Sequence, residues 1–529
     1  MSFDNGTSQT LVQSNGVADS IISPKEKTGG CPSNMKVEDC LKEIIDLLDP
    51  VNFSGLKNRH KYEEFLEFWK LHIRFKVKKP GICPHYEVDE ENMDNAHPAS
   101  HLTNNDESDG GKVNREEYKV IGVELLKIAA SEVGNPITFF AGAAFVFVKT
   151  HWASISEETF NTFLKKAMIQ LNVDRIIAPN ADFLGKVIRQ FEIETARPLK
   201  GLTRNMINFS NGTLDISADG SVNFRNHDPD DLLRYALPFH YDEEADCEQF
   251  TKFLDEVIPE KEKQLNIAEF LGSCFSNIKH EKLMLLYGSG ANGKSVILEI
   301  VTRVFGEDNI AHNTLEEITN PLGYYRGTLM DCLLNYAGEI SDKVNPDAMK
   351  KLASREPMNA RYVWGRPFVI KDYCRAAFNC NRLPEVKDNS DGYFRRFLII
   401  HFAITVSKEK QNPRLPEEIC ETDLPGIMNW VIDGLQRLIK QNGKFTPSPS
   451  TEDILDEYRR LSNSVKLFVD RLKEESEKSY EAFALYSRYK KFCQDNEISA
   501  VSQRQFSPEI QKYGVLKRRL ARGVMYEVG

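Results

Sequence analysis

Gly288-Ser-Gly-Ala-Asn-Gly-Lys294-Ser295 follows directly on the apolar run Lys282-Leu-Met-Leu-Leu-Tyr287, and the reading of this junction decides the fold. Glycines open a loop so that backbone N–H groups can converge on phosphate oxygens. Lys294 brings positive charge to the β- and γ-phosphates of a nucleotide, and the Ser295 hydroxyl can ligate Mg²⁺. Gly288, Ser289, Gly290, Ala291, Asn292, Gly293, Lys294 and Ser295 are therefore expected to bind ATP as one unit. The apolar run predicts a buried strand before the loop. Val296-Ile-Leu-Glu-Ile-Val-Thr-Arg-Val-Phe305 predicts a helix after it, with the positive end of its dipole facing the phosphates.

A phosphate loop needs an acid on a neighbouring strand. Cys332-Leu-Leu-Asn-Tyr-Ala-Gly-Glu339 fits, as an apolar strand ending in one carboxylate. Glu339 is the candidate to orient or activate the attacking water. Ser295 and Glu339 are the candidate metal ligands, with Glu339 chiefly serving the nucleophile. Tyr373-Cys-Arg-Ala-Ala-Phe-Asn-Cys-Asn-Arg-Leu-Pro384 predicts another strand with polar residues at its tip. Asn381 is placed to bond the γ-phosphate or the water; Asn379, inside the strand, is the competing choice. Asp391-Gly-Tyr-Phe-Arg-Arg-Phe-Leu-Ile-Ile400 sets Arg395 and Arg396 just before a buried strand. An arginine given to a neighbouring subunit's ATP would stabilise charge on the transferring phosphoryl group, and at least one of the two is expected in a structural ion pair. Between these elements, residues 349–368 interleave basic and aromatic side chains around a glycine turn. That suits a hairpin gripping a phosphate backbone, with Lys350, Lys351, Arg361, Trp364 and Arg366 as DNA contacts.

The rest of the 529-residue chain gives context. Hydrophobic residues make up 41% and charged residues 28%, an ordinary globular balance. No run of eighteen apolar residues occurs, so no membrane span is expected. The N-terminus lacks the pattern of a signal peptide. Ten cysteines stand singly with no Cys-x-x-Cys pair, which argues for free thiols in a reducing compartment, a bacterial host cytoplasm or its equivalent. The net charge of −10 conceals local basic clusters. Composition suggests a disordered tail over 1–35, a small helical segment over 36–84, an acidic linker over 85–113, a pre-ATPase domain over 114–254, the ATPase domain over 255–444 and a last domain over 451–529. In that last domain, two helical patterns, a basic stretch and a terminal strand make a winged-helix-like arrangement. Arg504, Lys517, Arg518 and Arg519 supply a local field suited to duplex phosphates.

The order of these motifs resembles superfamily 3 helicases of the phage/plasmid and poxvirus primase–helicase family, from about residue 120 to the C-terminus. The shared features are Gly-Ser-Gly-Ala-Asn-Gly-Lys-Ser, the strand ending in Glu339, the basic 349–368 segment, the strand ending in Asn381, and Tyr-Phe-Arg-Arg before an apolar strand. Residues 207–215, 237–247 and 424–430 also look familial. The resemblance implies an α/β fold: an AAA+-like P-loop ATPase core with a helical N-terminal region and a C-terminal winged-helix-like domain. It implies an ATP- and Mg²⁺-dependent DNA helicase in replication of a phage, plasmid or other mobile element. It further implies a homo-hexameric ring on single-stranded and forked DNA, moving 3′-to-5′, with ATP between subunits. Two departures stand out. Ser354-Arg-Glu-Pro357 replaces a Gly-Gly-Asp-like step, and only about 115 residues precede the family-like region, so a separate primase is the expected partner. The competing expectations are an ATP-switched origin-binding initiator and a primase–helicase.

Overall fold

The structure, a computed structural model, describes residues 35–51, 53, 59–78, 115–140, 142–197, 205–330, 332–338, 340, 344–361, 367–384, 390–475, 478–496, 500–520 and 523–528. The tail expected over 1–35, apart from Met35, and the acidic linker expected at 85–113 lie outside them.

Three helices come first: α1 (Val37–Leu47), α2 (Arg59–Lys78) and α3 (Arg115–Glu132). An antiparallel meander follows, β1 (Ile137–Phe140), β2 (Ala143–Phe147) and β3 (Trp152–Ser154), then α4 (Glu157–Gln170) and α5 (Ala181–Thr195). Local chemistry starts the last two helices. The Ser156 and Asn180 side chains accept from Thr159 N and Phe183 N, satisfying donors that the first turn leaves open. Helical spacing puts Cys40, Leu41 and Ile44 on one buried stripe of α1, which packs into a core with Trp69, Leu125 and Phe163.

A second meander, β4 (Met206–Phe209), β5 (Gly212–Ile216) and β6 (Val222–Arg225), turns through Ser210 and Asn211. Gly212 is already in the ladder, opposite Phe209. A Cβ on Gly212 would come within 2.6 Å of Arg225 O, so the glycine serves the close approach of β6. Ile207, Phe209 and Leu214 share a core with α6 (Glu248–Val257), α7 (Lys261–Gly272) and one face of the large sheet.

That sheet contains β7 (Leu283–Tyr287), β8 (Ile310–Ala311), β9 (Leu334–Ala337), β12 (Arg375–Cys380) and β13 (Phe397–His401), all parallel, in the order β13-β7-β12-β9-β8. Its strands are apolar without alternation, as a sheet covered on both faces requires. Along each strand the side chains go alternately to two cores. Met284 and Leu286 face one; Leu283 and Leu285 face the other. Helices α8 (Lys294–Phe305), α9 (Leu315–Thr319), α10 (Pro346–Ser354), α11 (Asp391–Phe394) and α12 (Leu415–Lys440) connect and cover it. A small hairpin, β10 (Met358–Ala360) and β11 (Phe368–Ile370), stands apart from the sheet's ladder. Helix α12 presses against α7 so closely that a Cβ on Gly434 would lie 2.4 Å from the Ala268 carbonyl.

Beyond α12, α13 (Pro449–Leu461) returns to the large sheet, where the Tyr458 hydroxyl donates to Pro384 O at 2.6 Å and its ring packs on Phe394. The last elements are α14 (Ser464–Glu474), β14 (Ser479–Glu481), α15 (Ala482–Asp495), α16 (Gln503–Lys512), β15 (Val515–Leu520) and β16 (Gly523–Val528). They surround a core of Phe468, Tyr489, Phe506 and Tyr526, with an antiparallel sheet ordered β14-β16-β15. Among the described residues, no helix is long and apolar enough to cross a membrane.

Candidate functional site

Because the large sheet is parallel, its strands end together, at Tyr287, Ala337, Cys380 and His401. Parallel sheets gather their ligand clefts at this edge, where loops leave the strands. Here the edge opens into a cavity of about 490 Å³. Residues 290–296 form its floor, Phe253 and Val257 of α6 one wall, and Val406 with residues 410–413 another.

The loop from Gly288 to Gly293 is shaped by its glycines. Gly290 and Gly293 have φ of +107° and +88°, which side-chain-bearing residues rarely adopt. Gly293 also abuts α6: a Cβ there would sit 3.0 Å from Val257 Cγ1. Lys294 opens α8 and is only 6% exposed. Its ammonium donates to Gly288 O at 2.8 Å and to Asn292 Oδ1 at 2.9 Å. Both acceptors are neutral, so burial pushes the lysine pKa below its usual value. Ser295, in the first turn of α8, is exposed to the cavity.

Gly338 lines the cavity at the end of β9, while Glu339 itself lies outside the described residues. Asn379 of β12 and Asn381 just beyond it both line the cavity, and the structure separates their surroundings. Asn379 is buried, accepts from the Tyr336 hydroxyl at 3.0 Å and donates toward Lys294 O at 3.4 Å. Asn381 stands one residue past the strand and is exposed.

The paired arginines lie at the other end of the sheet, before the first residue of β13. Arg396 is buried, and its guanidinium donates to Ser354 Oγ at 3.1 and 3.3 Å and to Gly392 O. Arg395 is 62% exposed at its side chain and pairs with Glu281 at 3.2 Å, a carboxylate that also lies 3.8 Å from Arg396. The Lys282 ammonium caps this corner, donating to Arg395 O at 2.8 Å and Phe397 O at 3.2 Å.

The basic segment is not one hairpin. Lys350 and Lys351 stand on α10, with Lys350 3.5 Å from Asp347 and Lys351 exposed. The described pairing is confined to β10 and β11, because the Arg355 cap, at φ +52°, ends the helix before β10 begins. Arg361 follows β10 and lies over the Tyr324 ring at 5.9 Å. Trp364 and Arg366 lie outside the described residues. In the C-terminal elements, Arg504 is exposed on α16 and Lys517, Arg518 and Arg519 are exposed on β15. Lys517 donates to Ser507 Oγ at 3.0 Å, and Arg518 pairs with Glu527 at 3.1 Å.

Sequence reasoning missed the walls of the cavity. Phe253, Val257 and residues 406–413 lie about forty residues before the loop and more than a hundred after it. No local pattern announces them.

Residues 142–259 match the family described as D5 N terminal like, and residues 286–396 match a family of unknown function, DUF5906. The chain is 28% identical over 297 residues to a protein of Acanthamoeba polyphaga mimivirus named "Putative helicase L207/L206". That match takes in 53% of this chain and 30% of the relative, so the chain spans under a third of the relative's length. Two solved structures of the NrS-1 C-terminal region are loosely similar. One has 11% identity and a TM-score of 0.44 over 75% of this chain and 96% of that one. The other has 12% identity and a TM-score of 0.42 over 78% and 99%. The chain resembles the helicases of the phage and viral D5-type primase–helicase family, through its D5 N-terminal-like segment and its mimiviral relative.

Proposed function

We propose that the chain is an ATP-dependent DNA helicase that serves replication of a virus, phage, plasmid or similar mobile element. One observation carries the reading. At the open edge of a parallel sheet, a glycine-rich loop holds a buried ammonium, Lys294, against neutral loop acceptors beside a cavity of about 490 Å³. Among the described residues no carboxylate pairs with this buried cation, which suits an anionic ligand. The loop's open backbone and the Ser295 hydroxyl suit a triphosphate and its Mg²⁺. The metal would rest on Ser295, with Glu339 beside it, and would neutralise phosphate charge. Among the described residues no cluster of three or more His, Cys, Asp or Glu side chains could hold a metal without the nucleotide.

In this reading the core is a P-loop ATPase of AAA+ type. Asn379 fixes the start of α8, and Asn381 faces the γ-phosphate. Arg395 projects from the far end of the sheet, so it serves the ATP of a second copy, as a ring, a homo-hexamer, would arrange. Arg396 holds the corner from which Arg395 projects. Lys351, Arg361 and their neighbours Lys350, Trp364 and Arg366 would meet the threaded strand, drawn 3′-to-5′. The C-terminal elements would act as a winged-helix-like DNA contact through Arg504, Lys517, Arg518 and Arg519. A separate primase would supply primers.

The test is strand displacement on a forked DNA with the wild-type chain and Lys294→Ala. ATP-dependent displacement that vanishes in the variant is the expected result. DNA-stimulated hydrolysis without displacement would favour an ATP-switched initiator.

A further inference from the structure

Lys294 sits on a flexible stem, and a phosphate gains most from a cation that is already in place. Two groups fix its head: the Gly288 carbonyl and the Asn292 side chain. Asn292 is 2% exposed, deeper than the lysine it meets. On its far side Nδ2 donates to Phe402 O at 3.3 Å, in the segment that continues β13. The orientation of this amide is dictated twice. A cation demands the oxygen on one side, and a carbonyl demands the NH₂ on the other. Among side chains of this size only an amide supplies both. Gly288 makes room for it, since a Cβ there would lie 2.2 Å from Asn292 Nδ2. The tie is reinforced by Val406 N, which donates to Ala291 O at 2.7 Å.

We propose that Asn292 is the positioning residue for Lys294: it presents the ammonium to the phosphates and locks the loop to the segment after β13 that walls the cavity. The proposal rests on the nucleotide reading of the loop. Asn292 touches no reacting atom in this account, so its loss should weaken nucleotide binding and leave the chemical step almost unchanged.

The experiment measures affinity for a fluorescent ATP analogue, together with KM and kcat for ATP, on the full chain. Wild type, Asn292→Ala, Asn292→Asp and Lys294→Ala are compared. Asn292→Ala should weaken affinity about tenfold with kcat within about twofold. Asn292→Asp keeps the shape, so it covers the case in which the alanine variant fails to fold. Its carboxylate offsets the Lys294 charge and repels phosphate, so it should bind more weakly still. If both Asn292 variants bind as wild type while Lys294→Ala abolishes binding, the proposal is wrong and the loop reading stands. A fall in kcat at unchanged affinity overturns it equally. If Lys294→Ala binds as wild type, the loop reading fails and the proposal with it.

Discussion

The two ends of the large parallel sheet are built on opposite plans. At the ends of the strands, glycines hold side chains away, the cavity is open, and among the described residues Lys294 of the loop meets neutral acceptors. At the strand starts the chain is dense with cations. Lys282, Arg396 and Arg375 spend their donors on backbone carbonyls and a hydroxyl, and Arg395 alone projects outward. A strand of five residues puts the two ends roughly 15 Å apart. Arg395 therefore cannot serve Lys294's ligand within one copy. The loop end is shaped to receive an anion, and the far end is shaped to offer a cation to something else.

The largest effect should come from the projecting arginine. Arg395→Ala should lower hydrolysis by about 10³-fold with nucleotide affinity kept, since a trans arginine acts on developing charge. Steady-state kinetics alongside equilibrium binding would check this, and equal loss of both would place Arg395 in binding instead. Arg396→Ala should behave differently although it is the adjacent residue. Its buried guanidinium satisfies Ser354 and Gly392, so its loss should cost about 2–3 kcal/mol of stability, seen as a lower melting temperature. An unchanged melt would break the distinction drawn between the pair.

A smaller effect is a loss of stability in mild acid. His280, at the cation-rich end, accepts from Lys282 N through Nδ1 and bonds Ser273 Oγ through Nε2. Burial, then the charges of Arg375, Arg355 and Lys282, hold its pKa well below 6.5. Burial pushes His151 down to about 4, with His227 adding to the shift. Below pH 6.5 the unfolded chain takes protons that the folded chain refuses, so stability must fall as pH falls. The slope should be on the order of 1 kcal/mol per histidine per pH unit. Melting temperatures from pH 7 to 5 would show it, and a flat profile would contradict the burial of these rings. The smallest effect belongs to Lys351, exposed on α10. Lys351→Ala should weaken DNA binding only a few-fold and make its salt dependence shallower by about one unit of log–log slope. An unchanged slope would remove Lys351 from the DNA contacts.

Much of the sheet edge was legible because its signals are local. The run 282–287 reads as a strand and forms β7 at Leu283–Tyr287; the helix read over 296–305 forms α8 from Lys294. The strand read before Gly338 forms β9 at Leu334–Ala337. The insertion of β12 between β7 and β9 was not legible, since strand order depends on pairing between segments some ninety residues apart. Nor could Tyr-Phe-Arg-Arg tell its two arginines apart. One turns inward because Ser354, forty-two residues earlier, waits for it, and the other stays at the surface, where it pairs with Glu281. Asn292 was visible as a loop residue, but its bond to Phe402 O crosses 110 residues and leaves no trace in the motif.

The claim that joins both ends is that one copy's Lys294 and another copy's Arg395 make a single hydrolytic site. Mixing the two inactive chains, Lys294→Ala and Arg395→Ala, tests it most directly. The account predicts that hydrolysis returns in the mixed assembly, because some interfaces then pair an intact Lys294 with an intact Arg395. Co-assembly of the two chains with no return of activity would contradict it.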